Sequence, residues 1–114
     1  KNGIPMDADL LFDVRFMQNP FWIDELKTKN GEDQAVKDYV MQFEQTQDYL
    51  NRLNDFLSYS FEEYVAEGKN HFTVAIGCTG GQHRSVVTVN WLYDQFKDKY
   101  QCYKRHRDMR GSHG

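Results

Sequence analysis

Residues 71–99 read HFTVAIGCTGGQHRSVVTVNWLYDQFKDK. His71 to Cys78 is a short, nearly continuous apolar run, β-branched in part, which is how a strand buried on both faces reads. Gly80 and Gly81 follow. From Ser85 to Lys99, Val86, Val89, Tyr93 and Phe96 recur at helical spacing. The β-branched residues at the start of that segment also suit a strand, but a strand, a glycine pair and a stripe in this order favour a helix.

Upstream, Leu10 to Phe16 reads as a strand ending at the turn signal QNP. A loop with aromatic anchors, Phe21 and Trp22, runs on to Gly31. Val36, Tyr39, Val40 and Phe43 then fit a first helix. Leu50, Leu53, Leu57, Phe61, Tyr64 and Val65 fit a second, with Thr46 as its cap and Gly68 as its stop. Gln101 to Asp108 alternates enough for a last strand. The order is β-α-α-β-α-β, an α/β fold with a mostly parallel sheet flanked by helices.

The 114 residues suit one domain, over 1–110. Residues 111–114 read as a vector-derived tail and stand outside the fold argument. The start, KNGIPMDADL, reads as a cut from a longer chain. Eight Phe, seven Tyr and two Trp predict an aromatic-rich core. Two cysteines form neither a metal motif nor a disulfide framework, which fits a reducing, cytoplasmic setting. No apolar run is long enough to suggest a membrane span. The net charge is −3, unevenly spread: residues 97–114 hold six basic against two acidic groups, and the first 96 residues eight against 15. A uniformly basic nucleic-acid footprint is absent, and the tail reads as a solvated edge.

The loop CTGGQHRS carries the chemistry. Between a parallel strand and a helix start, backbone N–H groups converge and the helix dipole adds positive charge. Gly80 and Gly81 permit the close approach that a nest for anion oxygens requires. Arg84 at the helix start would grip a phosphate bidentately, with Thr79, His83 and Ser85 as further donors. This is not a Walker A loop, since no G-x-x-x-x-G-K-[ST] occurs. Cys78 and Arg84 also have the Cys-x5-Arg spacing of a cysteine-dependent phosphatase. That alternative needs a general acid, for which Asp13 and Asp24 are candidates. It also departs from the tyrosine-phosphatase signature, because Gly77 stands where that signature has His.

GIPMDADLLFDVRFMQNPFW, GKNHFTVAIGCTGGQHRSV and KRHRD together span Gly3 to Asp108. In them the chain resembles the C-terminal domain of the RapZ/YvcJ family, the RNase adapter and nucleotide-binding proteins of bacteria. The resemblance implies an N-terminal P-loop domain, outside this chain, that binds ATP and GTP, with no cofactor in the present domain. It implies a non-catalytic domain that binds glucosamine 6-phosphate and small regulatory RNA and presents the RNA to a ribonuclease. It implies a ligand pocket of Asp13, Arg15, Cys78, Thr79, Gly80, His83 and Arg84, to which the loop reading adds Gly81 and Ser85. Lys104, Arg105 and Arg107 would meet RNA. Two departures bear on the ligand: Phe21 replaces a His of the family's NPHW, and Gln82 replaces a common Lys or Arg. The family's C-terminal domain assembles, and the surplus aromatics, Phe56 and Tyr59 among them, predict a homodimer.

Overall fold

The computed structural model describes residues 8–77 and 83–105. Strand β1 is Leu10–Asp13. A 3-10 turn at Pro20–Trp22 opens the loop that leads to helix α1, Gln34–Met41. Helix α2 is Glu44–Ala66, strand β2 is Val74–Gly77 and helix α3 is Arg84–Phe96. The strands pair in parallel, with Leu10 opposite Val74 and Asp13 opposite Gly77. The fold is α/β, and the described sheet has two strands with the helical pair as the crossover between them.

Alternation on the strands divides the molecule. Leu10 and Phe12 of β1, with Val74 and Ile76 of β2, pack on Leu53 and Leu57 of α2 and Leu92 and Phe96 of α3. Leu11 points the other way and stays exposed. A second cluster lies beyond the strand ends. There Val14, Met17 and Leu26 meet Val36 and Val40 of α1, Leu50 of α2 and Val87 of α3. The stripes expected on the helices are therefore the faces they bury.

Several local expectations change. β2 is not buried on both faces: Ala75 is buried, but Val74, Ile76 and Gly77 are only half-buried. Among the described residues no third strand covers it. Gln101–Arg105 carries no regular structure, and residues 106–108 of the expected last strand lie outside the described residues. The alternation there is real but serves packing, since Tyr100 and Cys102 turn onto the cluster of Leu53, Leu57, Leu92 and Phe96 without pairing to the sheet. Phe43 does not end the first helix. Its extended backbone (φ −85°, ψ 134°) makes it the N-cap of α2, while its ring rests 5.2 Å from that of Tyr39. The Gln47 amide donates to the Met41 carbonyl at 2.8 Å, which satisfies one of the open carbonyls of α1 across the break.

Gly68 does stop α2. It has φ 94°, and the amides of Gly68 and Lys69 donate to the carbonyls of Val65 and Tyr64 at 3.0 and 2.9 Å, a Schellman closure. Thr46 is not the cap. It lies inside the helix, is fully buried, and its hydroxyl has no hydrogen-bond partner among the described residues. A buried unmet hydroxyl costs about 1–3 kcal/mol, and valine has nearly the same shape. Thr46→Val is therefore expected to stabilise the chain by about 1 kcal/mol. Urea unfolding measures it, and an unchanged or lower midpoint would contradict the assignment.

Candidate functional site

The site is built where β1 and β2 end side by side. Pairing of Asp13 with Gly77 sets the end of β1 against the residue that precedes Cys78. The Val14 amide extends the ladder to the Gly77 carbonyl at 2.8 Å. Ends of parallel strands are where open α/β sheets bind ligands. Cys78, Thr79, Gly80, Gly81 and Gln82 lie outside the described residues, so the nest and the Cys78 reading rest on sequence. His83, Arg84 and Ser85 resume the chain at the start of α3, all three buried.

Asp13 and Arg15 form an exposed pair. The Arg15 amide and Nε donate to Asp13 Oδ1 at 2.9 and 3.0 Å, and Nε also reaches Oδ2 at 2.8 Å. Nη2 lies 2.7 Å from Oδ2. The Arg15 side-chain and then backbone hydrogen bonds hold the Asp13 carboxyl below its ordinary value, and the Arg84 charge adds to this. Such a surface pair contributes little stability. Its effect is to hold a carboxylate and a guanidinium side by side, facing water. A carboxyl held ionised is an acceptor at neutral pH and a poor proton donor, which weighs against Asp13 as the acid of a phosphatase. Asp24, the other candidate, is exposed beside Lys27 on the loop after the 3-10 turn.

Arg84 is only 4% exposed. Its Nη1 donates to the carbonyl of Arg15 and, at 3.2 Å, to that of Met17, while its buried Nε has no partner among the described residues. Part of the guanidinium expected on a phosphate is thus spent on holding the chain after β1. His83 is likewise drawn inward: its Nε2–H donates to the Lys29 carbonyl at 2.6 Å and ties the 23–31 loop to α3. Gly31 completes that closure. A Cβ there would sit 2.5 Å from Val86 Cβ and 2.8 Å from the His83 carbonyl oxygen, so only glycine lets the loop lie so close.

Beside the ion pair is a cleft of about 530 Å³, lined among the described residues by Asp13, Arg15 and Phe16. The Phe16 ring packs edge-to-face on Tyr49 of α2 at 4.7 Å between centroids. Burial, and then the Asp13 charge, pushes the Tyr49 phenol up. In the sequence Phe16 reads only as the last residue of the expected first strand, and Tyr49 stands outside the stripe of the second helix. The available signal for Tyr49 was its i, i+4 spacing to Leu53, which turns it toward the strands. Of the residues expected to meet RNA, Lys104 folds back with Nζ 4.7 Å from the Tyr93 ring centre, Arg105 is exposed, and Arg107 lies outside the described residues. Among the described residues no cluster of His, Cys, Asp and Glu could hold a metal, and no helix is long and apolar enough to cross a membrane.

This is a small parallel α/β domain with a charged, open cleft at its strand ends. The model of the RapZ C-terminal domain matches residues 1–110, and the chain belongs to that family. It is 49% identical over 110 residues to a nucleotide-binding protein of Clostridium novyi, covering 96% of this chain and 37% of the relative. It is 50% identical over 110 residues to one of Caldanaerobacter subterraneus (96% and 39%). With one of Bacillus licheniformis it shares 49% over 109 residues (96% and 37%). The chain thus spans about two fifths of the length of these relatives.

The inward position of His83 has a consequence in acid. Burial lowers its basicity below the ordinary imidazole value of 6.5, and the neighbouring Arg84 charge lowers it further, against the opposing Lys29 hydrogen bond. The unfolded chain then binds a proton that the folded chain refuses. This contribution to stability is complete above about pH 6.5 and is lost as pH falls through the lowered value. His83→Gln keeps a donor for Lys29 and removes the titration. Wild type is expected to lose stability between about pH 6.5 and 5 more steeply than this variant, measured by urea unfolding across pH. Identical slopes would contradict a neutral, buried His83.

Proposed function

We propose that this domain senses a phosphorylated amino sugar, of the glucosamine 6-phosphate kind, within a RapZ-like adapter protein. One observation carries the reading: the Asp13 carboxylate and the Arg15 guanidinium stand paired in the wall of the cleft, and a second guanidinium, Arg84, is anchored behind them on the Arg15 carbonyl. The cluster keeps a net positive charge, which suits an anion, and an ionised carboxylate, which suits an ammonium. A ligand with both groups complements it. The family likeness supports the same reading, and small RNA with a ribonuclease are the macromolecular partners it brings.

The test is selective. Asp13→Asn removes the acceptor charge and leaves the fold of β1 in place. It should weaken glucosamine 6-phosphate about tenfold to a hundredfold and glucose 6-phosphate far less, as calorimetry would read. Equal effects on the two sugars, or no binding of either by wild type, would sink the reading.

Self-association belongs to the same picture. Phe56 and Tyr59 on α2 are 49% and 64% exposed, off the stripe that carries Leu53 and Leu57. Aromatics are enriched at interfaces, and a symmetric pair is the commonest oligomer. Light scattering at micromolar concentration is expected to give about twice the chain mass of 13.5 kDa. Phe56→Ser with Tyr59→Ser should return it to one chain mass, and a wild-type monomer throughout would end the idea.

A further inference from the structure

The wall of the cleft carries one group that neither phosphate nor ammonium uses. Phe16 follows Arg15 directly and lines the same depression as Asp13 and Arg15. Its ring is 41% exposed, although its neighbours Val14 and Met17 are buried. It is nevertheless held. Val14 and Met17 anchor the backbone close by on either side, and Tyr49 packs on the ring with planes 65° apart. Tyr49 is fixed in turn by α2, whose next residue, Leu50, is 1% exposed. The result is a pinned aromatic surface open to water beside an exposed ion pair.

That combination has a matching chemistry. A sugar ring in its chair form has faces of C–H bonds and a rim of hydroxyls. The C–H face meets the negative face of an aromatic ring, while the rim reaches carboxylate and guanidinium. Inorganic phosphate or a short acyclic phosphate covers none of the aromatic surface. We propose that Phe16, packed on Tyr49, is the stacking surface of the cleft and selects a cyclic sugar phosphate over a bare or acyclic one. This rests on the reading of the cleft as a phosphosugar site and adds the residue that recognises the ring.

Calorimetry on this chain with glucosamine 6-phosphate, glycerol 3-phosphate and inorganic phosphate tests it. Phe16→Leu keeps the apolar contact with Tyr49 and loses the aromatic face. It should weaken the cyclic ligand up to about tenfold and change the other two by less than about twofold. Phe16→Trp should restore cyclic-ligand affinity. Unchanged binding of the cyclic ligand by Phe16→Leu, or equal losses on all three probes, would overturn the proposal. Should Phe16→Leu fail to fold, saturation-transfer NMR on wild type decides. Transfer concentrated on the ring C–H protons of one sugar face supports stacking, and none there refutes it. Wild type that binds none of the probes removes the phosphosugar reading as well. Wild type that binds all three, beside a Phe16→Leu with the same affinities, removes only the stacking.

Discussion

The buried Arg84 guanidinium joins the start of α3 to the chain that leaves β1, through the carbonyls of Arg15 and Met17. Taking a cation out of water is costly, and two carbonyl dipoles offset only part of it. Its Nε has no partner among the described residues. Asp13 is oriented by Arg15, and Arg15 by the backbone that Arg84 holds. The cleft, its net charge and the pose of Phe16 all follow from where that one side chain is anchored. A side chain expected from the sequence to grip a ligand is thus used to build the wall of the cleft.

The elements with a strong period were legible before any coordinates. Leu50, Leu53 and Leu57 mark the buried face of α2, and all three are buried. Gly68 was readable because a positive φ is nearly its own signature. Asp13 and Arg15, expected beside the loop by resemblance, do stand at the strand ends. What failed were readings in which side-chain type has two uses. Threonine caps helices and also fills cores, and Thr46 does the second. Alternation marks strands and also turns, and Tyr100 with Cys102 packs without pairing. Arginine grips ligands and also backbone, and the difference lies in which carbonyls come near Arg84, a matter of tertiary structure that a local pattern does not encode. The direction of Phe16 was hidden for the same reason, since Tyr49 lies on another element.

Polar and apolar recognition are divided cleanly within the cleft. The charged groups come from the end of β1 and the start of α3, which are fixed by backbone hydrogen bonds. The aromatic surface comes from Phe16, in the segment after β1, and from α2, and these are held by packing. Salt screens the first and leaves the second nearly untouched. The two halves of any ligand would thus be held by forces with different responses to ionic strength.

The pairing of the strands spans a long stretch of chain. The bond between the Thr73 amide and the Asp9 carboxylate, at the open end of the ladder, closes a separation of 64 residues, and Arg84 reaches Arg15 across 69. Contacts so remote in sequence come at an entropic cost that local structure cannot supply, and topologies rich in them fold slowly. The helices α1 and α2 have local contacts and can form early. The cleft cannot exist until both ends of the chain have met. Occupancy of this site is therefore a readout of the completed fold: a ligand that binds here draws on the whole domain's stability and returns its binding energy to the whole domain.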